Sequence, residues 1–177
     1  MPILLRLALE SYAAATPTPV LATVAPLPAP VTIEVLTVSF DIEQTLNIGS
    51  QSAGAGAGKV TFNPFSITRK VDCASPTFFQ MACSGKSFQT VGLGIRKAAG
   101  NEASGVMNLA FTFKLVAVKT VSWAHDDEAP KETVTFEYGA LDIQYAQQKP
   151  DGTLLAAIFG GWNRVKNTAD VFGQKIT

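Results

Sequence analysis

The stretch Gly54-Ala55-Gly56-Ala57-Gly58-Lys59 is the first place to look for chemistry, because a glycine-rich loop ending in lysine can cradle phosphate. A phosphate loop needs a glycine four residues ahead of the Gly-Lys pair and a Ser or Thr behind it. Position 53 is Ala and position 60 is Val, so both ends fail. The residues that follow are strand-like and supply no helix N-terminus to hold an anion. A loop or hairpin arm over 47–58 is the expected structure. His125-Asp126-Asp127-Glu128 carries ligand-type side chains, but four in a row between strands splay apart and cannot converge on one ion. The chain has a single histidine, no Gly-x-Ser-x-Gly, no Cys-x-x-Cys and no His-Glu-x-x-His. Catalysis, a metal and a cofactor are therefore not expected. An enzyme using His125 would reveal itself by a hydrolytic activity lost in His125→Ala.

Cys73 and Cys83 flank a short segment that reads as a helix, Ser75–Ser84. At the rise of an α-helix their thiols would stand roughly 12–15 Å apart, too far for a disulfide. Both are expected free, as suits a protein folded in a reducing compartment.

The 177 residues form one domain's worth of chain, with 14 basic and 14 acidic residues and a net charge of +0. That balance argues against a broad phosphate-binding surface and hence against nucleic acid. With 47% hydrophobic and only 16% charged residues, a disordered polyelectrolyte is also excluded. The composition suits close packing against other proteins. At the N-terminus Arg6 interrupts the apolar run and Glu10 follows it, so a signal peptide is not expected and Ile3–Leu9 reads as a first strand. No membrane insertion is expected.

The elements that must position any site are strands. Residues 16–30 hold five of the ten prolines and read as an extended surface excursion rather than an interior strand. Val31, Ile33 and Val35 alternate, then the phase moves to Leu36, Val38, Phe40 and Ile42, which marks a bulge or bend. Met107, Leu109, Phe111, Phe113, Leu115, Ala117, Val121 and Trp123 are expected on one face of a long strand, opposite Asn108, Thr112, Lys114, Thr120 and Ser122. Over 133–145, Val134, Phe136 and Tyr138 give way to Leu141, Ile143 and Tyr145, with Gly139 at the switch. Further strands are expected at 59–62, 65–70, 88–97 and 154–159. In the helix, Ser75 is the expected N-cap, Pro76 the first turn and Gly85 the stop. Phe78, Phe79, Met81, Ala82 and Cys83 form its apolar face, with the two phenylalanines expected in the core. The fold class is mainly β: an antiparallel β-barrel or sandwich of two sheets with one short α-helix on the side.

Particular residues in order then go further. The run Ala55-Gly56-Ala57-Gly58-Lys59-Val60, the run Ser66-Ile67-Thr68-Arg69-Lys70-Val71-Asp72 with Ser75-Pro76, and Met81-Ala82-Cys83-Ser84-Gly85-Lys86 resemble the haemolysin-coregulated protein (Hcp) family. So do Ile95-Arg96-Lys97-Ala98, Glu132-Thr133-Val134-Thr135-Phe136, Gln148-Lys149-Pro150-Asp151-Gly152 and Gly161-Trp162-Asn163. The pieces are collinear over about residues 33–167.

The resemblance implies the tube protein of the bacterial type VI secretion system: six copies in a ring, rings stacked into a tube inside a contractile sheath. Sheath contraction would drive tube and spike out of the cell. It implies a single domain over 1–177, with residues 12–30 as a loop insertion and 47–58 as an extended loop. Partners would be further copies of itself, spike, sheath and small effectors in the ring's lumen. Location would be the bacterial cytoplasm and then, without a cleaved signal peptide, the exterior.

The ring-stacking loop would carry Gly49, Gly54, Gly56, Gly58 and Lys59, where small residues allow close backbone approach. Thr37, Ser39 and Asp41 form a polar strand face that in the family borders the lumen; a plain solvent-exposed face is the alternative. A second reading is a paralogue that carries small effectors. Two departures stand out. The first loop is rich in Pro and Ala, either a contact to sheath or spike or an inert insertion. The chain also ends too soon after Asn163 for an appended enzymatic domain to be expected.

Overall fold

Alternating apolar residues along 107–123 and 134–145 drive the two longest strands, and the remaining elements assemble on that pair. In the computed structural model, which describes residues 3–8, 31–45, 60–99, 102–125 and 129–170, the order is β1 (Ile3–Ala8), β2 (Val31–Val35), β3 (Thr37–Ser39), β4 (Ile42–Gln44), β5 (Val60–Phe62), β6 (Phe65–Lys70), α1 (Ser75–Ser84), β7 (Ser87–Ala99), β8 (Glu102–His125), β9 (Pro130–Tyr145), β10 (Ile158–Asn163) and β11 (Thr168–Ala169). One sheet has nine strands and a second has two, β4 and β5.

The large sheet closes on itself. Antiparallel pairs run β6–β9, β9–β8, β8–β7, β7–β1 and β1–β2. The chain then bends at Leu36, whose N–H donates to the Thr68 carbonyl at 2.8 Å, and continues as β3, which pairs with β6. Closure removes the exposed edges that an open sheet would present. β10 and β11 extend the sheet beyond the second half of β9. The bend at Leu36 is the phase change expected there.

Inside lie Ile33, Val35, Phe65, Ile67, Phe113, Val116, Val118, Val134, Phe136 and Leu141. Phe65 stacks between Phe113, at 4.0 Å between centroids, and Phe136, at 4.7 Å. Such aromatic contacts add about 0.5–1.5 kcal/mol beyond the area they bury.

Several expectations change. β9 switches phase at Gly139 as expected, but β8 switches opposite it and does not keep one face from 107 to 123. Leu115 turns outward at φ +52°, and Val116 and Val118 enter the core instead of Leu115 and Ala117. A further register shift falls between Val118 and Thr120 and returns Val121 to the inner face. Two strands paired in register must change phase together, or one would turn its apolar side to water.

The helix runs over the expected residues and ends at Gly85, at φ +65°, whose N–H reaches the Met81 carbonyl. Its N-cap, however, is Ala74, without a side-chain bond, and Ser75 already lies inside. Phe78 and Met81 are buried, while Phe79 and Cys83 face outward. A helix of this length lays one narrow stripe on the barrel, and positions 79 and 83 fall off it. Cys73 and Cys83 are both free, as expected.

The strand expected at 154–159 is displaced to 158–163, because an isolated bridge between Gln148 and Leu154 makes the preceding residues the return arm of a tight turn. Gly152 at φ +87° turns that arm, and the Asp151 carboxylate accepts from the Thr153 N–H at 2.9 Å. The proline-rich excursion, the glycine-rich arm and the acidic turn at 126–128 lie outside the described residues.

Candidate functional site

Two sets of side chains emerge from the strands that carry the family-like motifs, one pointing in and one pointing out. Successive residues of a strand face opposite sides, so Ser66-Ile67-Thr68-Arg69 and Glu132-Thr133-Val134-Thr135 each serve both sets.

The inward set ends in a buried ion pair. Arg69 is paired with Glu132 across β6 and β9, at 1% and 0% exposure, with Nη1 donating to Oε1 at 3.0 Å. Ser75 at the start of α1 donates to the same oxygen at 2.8 Å, and the Trp123 indole N–H donates to Oε2 at 3.1 Å. Arg69 also pairs with Asp72, and its guanidinium lies 5.5 Å over the Phe78 ring. Asp72 in turn accepts from the Ala74 N–H at 2.7 Å. Partial burial pushes the Asp72 carboxyl up, but the Arg69 guanidinium and the Ala74 N–H outweigh it and hold it below its ordinary value. The network ties helix, β6, β8 and β9 together at one end of the barrel. Apart from the Arg69 Nε, which is buried without an acceptor among the described residues, its polar groups are partnered within the chain, and it is built to hold the fold.

The outward set is made of hydroxyls. Thr37 faces Thr68, Thr68 faces Thr133, and Thr133 faces Ser122; one row over, Ser39, Ser66, Thr135 and Thr120 follow the same order. Across β3, β6, β9 and β8 this gives two rows of four hydroxyl groups with no charge among them. Ser66 and Thr135 share a hydrogen bond at 3.0 Å, and Thr68 and Thr133 share one at 3.2 Å. Asp41 stands at the border of the field, exposed, where it accepts from the Asn63 amide at 2.6 Å.

Of the residues singled out from sequence, Thr37, Ser39 and Asp41 are therefore together and exposed. Gly49, Gly54, Gly56, Gly58 and Lys59 lie outside the described residues. Read strand by strand, the sequence gives no sign that Ser66, Thr68, Thr133 and Thr135 belong to that face, and it marks Thr120 and Ser122 only as the polar side of β8. The signal that could have found them is a Ser/Thr-x-Ser/Thr pair on each of four strands: 37/39, 66/68, 120/122 and 133/135. Among the described residues, no group of three His, Cys, Asp or Glu side chains could hold a metal ion. No described helix is long and apolar enough to cross a membrane.

Comparison with known proteins bears on the family and the fold. Residues 29–145 match the family described as type VI secretion system effector, Hcp. The chain is 32% identical over 112 residues to protein hcp1 of Pseudomonas aeruginosa, covering 62% of this chain and 68% of that protein. A solved type six secretion system protein matches at TM-score 0.74 and 22% identity, covering 96% of this chain and 99% of that one. Hcp1 from Salmonella typhimurium matches at TM-score 0.62 and 23% identity, covering 96% and 98%. At these identities the two structures establish the shared fold.

Proposed function

The chain belongs to the Hcp family of the type VI secretion system, and from that premise we propose that it is a structural subunit of the secretion tube. Six copies form a closed ring, rings stack, and the stack leaves the cell with the spike when the sheath contracts. The observation that carries this reading is the uncharged field of eight hydroxyls, continuous over four strands of a chain with no net charge. A lumen wall must be wettable without gripping what passes, and hydroxyls satisfy that by exchanging hydrogen bonds with water at little net gain. Residues 1–177 act as one domain, with Gly49, Gly54, Gly56, Gly58 and Lys59 in the contact between rings. The tube subunit performs no catalysis.

Light scattering over a range of concentrations tests the ring. A hexamer weighs about 112 kDa, six copies of 18.7 kDa, and symmetry requires a closed annulus in negative-stain images. A species that remains at one chain's mass at every concentration refutes it.

A second reading is a paralogue that carries small effectors in its lumen, held by many individually weak hydroxyl contacts summed over the field and not by any one of them. Exposed Thr37 and Ser39 can donate and accept toward a bound protein, and Ser39 is the position to substitute.

A further inference from the structure

Along one edge of β9 the partner strand changes. β6 pairs as far as Phe136 and β10 begins at Ala140, so residues 137–139 have no strand beside them on that edge among the described residues. Arg164, in the turn between β10 and β11, fills the gap. Its backbone N–H donates to the Gly139 carbonyl at 2.9 Å, and its Nη1 donates to the Tyr138 carbonyl at 2.6 Å. The Glu137 carboxylate stands 3.5 Å from the same guanidinium. That guanidinium also lies over two rings, 4.9 Å from the centroid of Tyr138 and 5.5 Å from that of Phe62. Tyr138 belongs to the barrel wall and is buried against Phe113, whereas Phe62 belongs to β5. One cation therefore bridges two elements that no strand ladder joins.

The β4–β5 ribbon needs such a bridge. It is a separate two-stranded sheet, and a hairpin of two strands is marginal in water by itself. All three residues of β4 and Thr61 of β5 are exposed. Beside β3, Phe40 holds the first foot of the ribbon, with its ring 5.1 Å from Phe111 and 5.9 Å from Phe113. At the second foot the Asn63 N–H donates to the Asp41 carbonyl at 3.2 Å and its amide to the Asp41 carboxylate at 2.6 Å. Those bonds tie the feet to each other and not to the wall. Phe62 is the β5 side chain packed against the core, and Arg164 lies over it.

We infer that Arg164 is a positioning residue: it clamps the second foot of the β4–β5 ribbon to the barrel wall and so fixes the direction in which the ribbon leaves the barrel. The turn that carries Arg164 does not depend on the side chain, because its backbone N–H and the bond from the Lys166 N–H to the Asn163 amide oxygen at 3.0 Å hold it. Gly49, Gly54, Gly56, Gly58 and Lys59 lie in the sequence between the two strands of the ribbon. Arg164 would thus aim the contact between rings, a consequence that rests on the tube reading above; the clamp itself does not.

Hydrogen exchange of the full chain, read by mass spectrometry, tests the clamp. In the parent, the amides of 42–44 and 60–62 are expected to exchange faster than those of β8 and β9, since the ribbon opens without the barrel. Arg164→Met keeps the aliphatic stem and loses the cation, and it should speed ribbon exchange about tenfold. Arg164→Lys restores a cation without the planar fork and should recover part of the protection. Phe62→Leu should also speed the ribbon, and adding Arg164→Met to it should add little, because both act through one contact. Ribbon exchange that Arg164→Met leaves unchanged would overturn the clamp, even if the variant unfolds more easily as a whole. So would a parent ribbon that exchanges no faster than β8 and β9, a lysine no better than methionine, or full additivity of the two substitutions. Light scattering on the same samples separates the two readings. A parent that stays at one chain's mass rejects the ring and leaves the clamp standing, whereas unchanged ribbon exchange rejects the clamp whatever the mass.

Discussion

Arg69 and Glu132 are 63 positions apart in sequence and in direct contact in the fold, with Ser75 and Trp123 completing the shell of the carboxylate. Two charges this buried contribute little net stability as a pair, because desolvation offsets their attraction. Removing one partner is a different matter. Glu132→Ala leaves the guanidinium, at 1% exposure, with the half-exposed Asp72 as its remaining carboxylate and takes the acceptor from Ser75 and Trp123, and it is expected to cost about 3 kcal/mol. A lowered denaturant midpoint with an unchanged slope would show it, and a shift under about 1 kcal/mol would contradict the account. Asp72 gives the pH dependence. Its carboxyl titrates below the ordinary value of 3.8 in the folded chain, so its contribution is present at neutral pH and is lost as pH falls through the folded value. Asp72→Asn should therefore flatten the acid limb of the stability profile below about pH 4. An unchanged acid limb would assign acid sensitivity elsewhere. At this scale the sequence revealed the participants, since Arg69, Asp72, Ser75 and Glu132 all sit in the family-like motifs. It did not reveal their contact, nor that Ser75 serves Glu132 instead of capping the helix.

The β8–β9 ribbon shows why elements need each other. The phase change at Gly139 is legible because glycine is the cheapest residue at such a point. The matching change at Leu115 is not, since an apolar residue in phase with Phe113 gives no reason to turn outward. The partner strand imposes it: Phe113 faces Leu141, Val116 faces Tyr138, and both pairs are buried only if each strand switches between them. Gly139→Ala would set a methyl group 3.1 Å from the Leu115 Cβ, so Leu115 must give by a few tenths of an ångström; because its backbone is already held at φ +52°, the change is expected to destabilise the fold by about 1 kcal/mol. Combining it with Leu115→Gly removes both the collision and the strained backbone, so most of that loss should return. Thermal unfolding of both single variants and the double variant measures this, and simple additivity would disprove the coupling.

For the molecule as a whole, the hydroxyl field predicts how a lumen would behave. In the proposed ring, with Ser39 on the lumen side, Ser39→Arg places a long cation in a surface that carries no charge, so it should abolish retention of a carried effector while leaving the mass of the assembly unchanged. Loss of the ring would move Ser39 from the lumen to the interface. Hydroxyl contacts are also insensitive to screening. Raising salt from about 0.1 M to about 1 M shortens the Debye length from roughly 10 Å to 3 Å and is expected to leave effector retention unaltered in a pull-down. A steep loss with salt would mean that charges outside the field, such as Asp41 or Glu137, do the binding.

What the sequence by itself determined about this protein is local or ordinal. Period-two alternation set most of the strands, Pro76 and Gly85 bounded the helix, and the order of short motifs marked the family. Each depends on neighbours along the chain or on their succession, which a sequence displays directly. The tertiary structure decided everything that depends on register across strands: the closure through Leu36 and β3, the burial of Arg69 against Glu132, the outward turn of Leu115, and the alignment of four Ser/Thr-x-Ser/Thr pairs into one surface. Register is set by the sum of side-chain contacts over a whole ribbon, and a slip of one residue reverses every face. The identity of Ser39 or Thr135 alone therefore could not place them on the same wall.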